Sequence, residues 1–434
     1  MNAEQLTGVV IADLGMIVVV SALFGALARR CGHPTVIGQI VAGIALGPTL
    51  LGRLPGDPAG WLFPAQVRPS LSVLSQIAIV IFMFAVGYEV DLRLLRRGGR
   101  SALCVASLSL AVPMTLGAAV AVLFREVFTV GSLEGPGGPT FVLFMAVAIS
   151  ITALPVLAAI VRERGLAGTA AGTVATAAAG LMDVAAWTAL AAVLAEAGDA
   201  DETRVPQVPW MLALPALVAF AAAMFLVVRP LLGWLTRRPG AMWGRLPAAF
   251  ALALGSAWGT AALGLHPVFG GLLAGLVMPR RDGAPEPEVL RPMEQTAELL
   301  LPLFFVMTGL SADISAIEPG GLFLLAVLLV AAIGGKLVPA YAASRLTGLD
   351  SGESAVVAVL VNTRGLTELI VLNVGLSAHV IDERLFTVLV VMALITTAMT
   401  APLLSALRRR EERRRPAPAI PMPPASVSRR STMG

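Results

Sequence analysis

Asp183 and Lys336 are the two residues whose chemistry fits least with their surroundings. Asp183 sits midway along the apolar run containing Gly180-Leu181-Met182-Asp183-Val184-Ala185-Ala186-Trp187. Lys336 is the only lysine among 31 basic residues and lies inside the apolar run Leu322 to Leu346. A charge held at the centre of hydrocarbon costs about 2.5–3.5 kcal/mol even on the lenient insertion scale, so such groups are kept for function and have partners. Lys336 is at least ten residues from either end of its run, too deep to snorkel to an interface. Asp183 is its best candidate partner. A buried carboxylate can hold a proton or a hard monovalent cation but not readily both, and that is the minimum chemistry of exchange.

Two further constellations interrupt apolar runs. Ser150-Ile151-Thr152-Ala153-Leu154-Pro155 places a proline where a helix would need a backbone donor, so the chain is expected to open around Thr152. Asn362-Thr363-Arg364-Gly365-Leu366-Thr367-Glu368 places an amide, a glycine and an ion pair in a second apolar run, with breaks expected at Asn362 and Gly365. Irregular backbone at membrane depth survives only where protein or water satisfies it, so both segments point to a cavity and an ion site. Thr152 joins Asp183 as a candidate ion or proton ligand. Arg364 can sit against exposed carbonyls, and Glu368, one turn later, can pair with it; a structural role in charge compensation is expected for this pair, as for Lys336.

These residues need membrane helices to hold them. The chain is 57% hydrophobic and 13% charged, with a mean hydropathy of +0.84, and its apolar stretches repeatedly reach the ~20 residues that cross a bilayer as helix. Thirteen spans are expected, at 8–28, 34–51, 72–90, 101–124, 140–161, 168–196, 210–235, 246–264, 267–280, 295–312, 321–346, 353–378 and 384–407. The first lacks the basic start and small-residue exit of a secretory signal, so it counts as a span. Sorting basic residues by alternate loops puts 24 on one side and five on the other, with Lys336 and Arg364 inside spans. That predicts a cytoplasmic C-terminus and an external N-terminus in the cell membrane. The net charge of +4 reflects this asymmetry plus eight arginines in 408–434; no aromatic-studded basic face suggests nucleic acid as a partner. Cys31 and Cys104 are too few for a disulfide framework and are expected as packing residues. His33 and His266 precede prolines and are expected as caps, with Asp13 near the outer interface and His379 in an outer loop.

The chain also repeats itself. His33-Pro34-Thr35-Val36-Ile37-Gly38, followed by Ala42-Gly43, returns 233 residues later as His266-Pro267-Val268-Phe269-Gly270-Gly271, followed by Ala274-Gly275. Phe84-Ala85-Val86-Gly87-Tyr88-Glu89-Val90-Asp91 returns 222 residues later as Val306-Met307-Thr308-Gly309-Leu310-Ser311-Ala312-Asp313. Ordered matches at similar offsets indicate a duplication. The expected fold is therefore an all-α polytopic membrane protein of about thirteen transmembrane helices in two inverted six-helix repeats, with two broken, crossing helices. The first repeat would occupy residues 1–205, a connecting span 206–245, the second repeat 246–407, and a basic, Pro-rich, disordered cytoplasmic tail 408–434.

On these residues the chain resembles the monovalent cation/proton antiporter-2 family of sodium or potassium/proton exchangers. The matching pieces include Gly43-Ile44-Ala45-Leu46-Gly47-Pro48, Phe84 to Asp91, Ser150 to Leu157, Met182-Asp183, Leu301-Pro302-Leu303-Phe304-Phe305 with Gly309-Leu310, Gly335-Lys336, and Asn362 to Leu372. The resemblance implies exchange of Na+ or K+ for protons by alternating access, and a homodimer whose interface domain comprises spans 1, 2 and 7–9. Spans 3–6 and 10–13 would form a moving core in which Asp183 binds the transported cation and the proton in turn. Thr152 matches the family's unwound crossing. Met182 departs from the polar residue usual before the aspartate, and its thioether is a poor ligand for a hard cation and unsuited to pair with Lys336. No cofactor is implied. The other readings are a potassium channel-like efflux protein, an organic-anion symporter on a similar fold, and a membrane-embedded enzyme, for which no serine–base or histidine cluster at depth provides machinery.

Overall fold

The computed structural model describes residues 2–56, 58–89, 99–124, 138–166, 168–197, 210–236, 242–263, 266–281 and 283–414. Val90, Asp91, the arginines at 93, 96 and 97, Arg125, Arg204 and residues 415–434 fall outside them. Among the described residues the architecture is helical, with one isolated bridge between Arg281 and Ala284. The first half contains α1 (Ala3–Arg30), α2 (Thr35–Leu46), the short α3 (Pro58–Leu62), α4 (Arg68–Glu89), α5 (Gly99–Leu123), α6 (Pro139–Ser150), α7 (Leu154–Glu163) and α8 (Ala170–Ala197). A stretch of α9 (Trp210–Ala223), a π turn at Met224–Val228 and α10 (Arg229–Thr236) follows. The second half contains α11 (Met242–Ala262), α12 (Pro267–Val277), α13 (Pro287–Leu310), α14 (Pro319–Leu346), α15 (Ser351–Val361), α16 (Leu366–Ser377) and α17 (Glu383–Arg414).

Every expected span falls on a helix or helix pair. Among the described residues, eight stretches are long and apolar enough to cross a membrane: α1, α2 with the turn after it, α4, α5, α8, α14, the α15–α16 pair and α17. Helix starts follow local chemistry. Proline occupies the first turn of α6, α7, α12, α13 and α14, where its missing N–H would have had no partner. The Asp350 carboxylate accepts from the Glu353 amide at 2.7 Å to cap α15. His266 caps α12 through the Val268 amide, as expected, whereas His33 makes no such bond at the start of α2. Pro34 occupies the capping position itself, and that displaces the histidine from it. The basic run from Arg408 to Arg414 continues α17 as helix rather than beginning a disordered tail; arginine and glutamate are good helix formers and can pair at i,i+4. Cys31 is exposed at the end of α1 instead of packed.

The two recurring sequence motifs meet one another. Gly43 of α2 packs on α13, where an added methyl would lie 2.7 Å from Val306 Cα, and Gly309 of α13 faces the backbone of Gly43 and Ile44. Reciprocally, Gly87 of α4 abuts the Leu272 carbonyl of α12, and Gly275 of α12 abuts the Phe84 carbonyl. The first motif of each half thus crosses the second motif of the other half, with backbones too close for any side chain. Gly335 plays a similar part on α14, packing against Pro113 and Leu116 of α5. At the end of α4 the Tyr88 hydroxyl donates to the Pro279 carbonyl at 2.8 Å and accepts from the Glu286 amide at 3.0 Å. The Arg280 guanidinium sits 6.0 Å from the ring centroid, and Glu286 pairs with Arg245 of α11.

Gly309→Leu should lower the thermal unfolding midpoint and the monodisperse yield of the detergent-solubilised protein sharply, because overpacking costs about 1–3 kcal/mol where neighbours can yield and more where they are backbone. Gly334→Ala, with nothing within 4 Å, should leave both unchanged.

Candidate functional site

The site is built around two helix breaks that touch. Between α6 and α7 the backbone is extended at Ile151 (φ −65°, ψ 143°) and Ala153 (φ −91°, ψ 95°), and Pro155 lies in the first turn of the new helix. Between α15 and α16 the chain passes through Asn362 and reaches Gly365 at φ 148°, ψ −129°, where a side chain would be strained. The breaks satisfy each other's backbone. The Ala153 amide donates to the Thr363 carbonyl at 3.0 Å, and the Thr152 hydroxyl donates to the Val361 carbonyl at 3.0 Å. Polar backbone freed in one helix is therefore paired by the other, without water.

The half-helix ends carry matched charges. Arg364, fully buried, donates to the Ala148 carbonyl at 3.0 Å and to the Ile149 carbonyl, both at the C-terminal end of α6. It also donates to Glu368 Oε1 at 2.6 Å. Glu368, also fully buried, lies in the first turn of α16. A cation thus meets the negative end of one half-helix and an anion the positive end of the other.

Asp183 is 6% exposed on α8, and no side chain among the described residues hydrogen-bonds its carboxylate. The electrostatic neighbours acting on it are the Leu154 amide, at the N-terminal end of α7, and the Lys336 ammonium. Lys336 is fully buried on α14, but it does not bond Asp183. Its Nζ donates to Thr152 Oγ1 and lies 3.9 Å from Met182 Sδ. Two expectations change here: Thr152 is the partner, and Met182 does lie against the ammonium. Consecutive helix residues point about 100° apart, so a lysine drawn to the Met182 side of α8 is turned from the adjacent Asp183. The Thr152 hydroxyl therefore has its proton on Val361 and an ammonium on its oxygen. As an ion ligand it would have to compete with Lys336.

Several other buried polar atoms at the breaks have no hydrogen-bond partner among the described residues: Asn362 Oδ1 and Nδ2, Thr363 Oγ1, Arg364 Nε and Glu368 Oε2. Asn362 had been read only as a helix breaker, and Thr363 had no assigned role; their position in an apolar run was the available signal. Asp13 does not join the site. It is 3% exposed within α1, which packs on α2 and α13 rather than on α8. His379 is exposed in a turn at φ 55°, and Asp313 caps the following turn through the Ser315 amide.

A family model described as the transmembrane sodium/hydrogen exchanger matches residues 18–406. The Na+/H+ antiporter NhaS4 of Synechocystis is 34% identical over 406 residues, covering 91% of this chain and 96% of that protein. Cation/H+ antiporter 20 of Arabidopsis thaliana is 34% identical, with 92% of this chain and 48% of the relative aligned. K+/H+ antiporter 1 of Saccharomyces cerevisiae is 30% identical, with 86% and 43% aligned. The chain thus spans about half the length of the plant and yeast relatives. The sodium proton antiporter MjNhaP1 from Methanocaldococcus jannaschii, solved at pH 8, superposes with a TM-score of 0.66 over 93% of this chain and 97% of its own, at 14% identity. It shares the fold.

Arg364→Ala should destabilise by about 3–5 kcal/mol, the cost of stranding one member of a buried pair, seen as a large fall in unfolding midpoint. Thr152→Val, which removes the ammonium's partner, should also lower the midpoint. Combined with Lys336→Met it should do less harm than the two changes summed, a coupling that a double-mutant cycle measures directly.

Proposed function

The chain belongs to the sodium/hydrogen exchanger family, and on that premise we propose that Asp183 is the carrier group, binding the transported cation and the proton in alternation. The protein is a membrane transporter that exchanges a monovalent cation for protons. The observation that carries the assignment is the buried Asp183 carboxylate, free of side-chain hydrogen bonds and facing the backbone amide of Leu154 at the N-terminal end of α7, where two broken helices meet. A carboxylate already bonded to lysine would have to surrender that bond at each turnover. One left free can accept either cargo at once.

In this reading Arg364 and Glu368 stay paired throughout and hold the half-helix ends in place. Lys336, tied to Thr152, stays off the carboxylate and leaves it open to the cargo. Asn362 and Thr363 supply further hard oxygen donors near the crossing, the donor type that Na+ or K+ prefers. Alternating access would come from a core of spans 3–6 and 10–13 moving against spans 1, 2 and 7–9, with thirteen spans in inverted repeats of residues 1–205 and 246–407 joined by 206–245. The reciprocal glycine crossings support that two-fold arrangement. An N-terminus outside and a C-terminus in the cytoplasm agree with the arginine asymmetry, and the family resemblance implies a homodimer in the cell membrane. A channel needs a continuous pore, and an organic-anion symporter needs a roomier cationic site; neither is favoured by a single free carboxylate.

Reconstituted into proteoliposomes bearing an imposed pH gradient, the wild-type protein should dissipate it when Na+, K+ or Li+ is added, and the response to each salt identifies the cargo. Asp183→Ala should abolish the response to all three. Dissipation by the variant at the wild-type rate would sink the assignment.

A further inference from the structure

On the arginine-rich side, α17 carries its last turns out of the apolar layer. Pro402, Ser405, Ala406, Arg409 and Arg410, all on α17, line an open groove of about 460 Å³. Their spacing is that of one helix face, apolar at its inner end and cationic at its outer end. A third guanidinium reaches one of these residues from beside the groove: Arg164, which ends α7, donates to Ser405 Oγ at 3.0 Å. Arg409 and Arg410 are exposed and have no ion pair or hydrogen bond among the described residues. Some arginines on this side already hold protein groups: Arg29 bonds Thr35, Arg345 bonds the Leu349 carbonyl, Arg245 pairs with Glu286, and Arg164 bonds Ser405 through one of its nitrogens. Glu411 and Glu412 follow in the sequence, but the run Arg408–Arg415 holds six arginines against two glutamates, a net charge of +4.

We propose that this groove binds the headgroup of an anionic phospholipid, its phosphate between Arg409, Arg410 and Arg164 and its glycerol backbone against Pro402 and Ala406. Two features favour a lipid over a soluble phosphate. The groove lies at the end of a membrane-length helix, and its wall passes from apolar to cationic within two turns, matching the polarity gradient of a phospholipid at an interface. Basic pockets beside transmembrane helices on the positive side are suited to this chemistry. A phosphate held by all three arginines ties the end of α7 to α17, and α7 is the half-helix whose other end faces Asp183. Lipid binding should therefore stabilise the full chain.

The test is the thermal unfolding midpoint of the purified, detergent-solubilised protein, titrated separately with phosphatidylglycerol, phosphatidylcholine and inorganic phosphate. Phosphatidylglycerol should raise the midpoint saturably, and the other two should not. The concentration for half the effect should rise about fivefold in Arg409→Gln or Arg410→Gln and on the order of twenty-five-fold in the double variant. Both residues are exposed, so the lipid-free midpoint should stay at the wild-type value. An Arg29→Gln, Arg30→Gln variant should keep the full response. The proposal fails if the double variant responds to phosphatidylglycerol like wild type, if the Arg29/Arg30 variant loses the response equally, or if phosphatidylcholine matches it. An equal response to inorganic phosphate would make this a free-anion site and overturn the lipid assignment.

Discussion

Every buried backbone N–H and C=O at membrane depth must find a partner inside the protein, and the crossing of α6–α7 with α15–α16 is where that constraint is met under most strain. Each break exposes carbonyls at one half-helix end and amides at the other. The Ala153 amide on the Thr363 carbonyl and the Thr152 hydroxyl on the Val361 carbonyl join the two breaks into one unit. Arg364 then closes the α6 end, and Glu368 balances both the guanidinium and the α16 dipole. Neither break would be tolerable alone. Together they create a polar centre in an apolar bundle while leaving few main-chain groups unpaired.

Asp183 and Lys336 depend on that centre in different ways. The lysine uses it, drawing on the Thr152 hydroxyl to satisfy an ammonium that hydrocarbon would otherwise penalise. The aspartate is left over. Its isolation follows from the lysine's choice of partner and from the helical offset between Met182 and Asp183. A carboxylate with no side-chain partner has unspent affinity for a small cation or a proton. On the proposed reading, a direct salt bridge would weaken that affinity, because the lysine would have to be displaced for each cargo bound.

Rigid elements hold the crossing in place. The Gly43–Gly309 and Gly87–Gly275 contacts bring α2 onto α13 and α12 onto α4 at backbone distance, and Gly335 seats α14, with Lys336 one residue on, against α5. In lipid there is no hydrophobic force to push helices together, so close packing of this kind, along with interhelical hydrogen bonds, sets how they associate. The Tyr88 hydroxyl bonds do the same where α4 meets the α12–α13 connection.

Much of this was legible in the chain before any coordinates. The apolar runs, the interrupting Pro155 and Gly365, the intramembrane charges and the duplicated His-Pro and Gly motifs each announce themselves, because hydrocarbon tolerates polar groups and helix breakers only for a reason. The Arg364–Glu368 pair was legible too, since residues four apart on a helix are neighbours whatever surrounds them. Which groups meet across helices was not legible. The sequence made Asp183 the natural mate of Lys336 by opposite charge, and it gave no sign that Thr152, 184 positions away from the lysine, would present its oxygen first. That choice rests on where the opened backbone places one hydroxyl and on the rotation of α8 about its axis. Helix rotation and crossing geometry arise from packing among all the helices, and no local pattern along the chain encodes them.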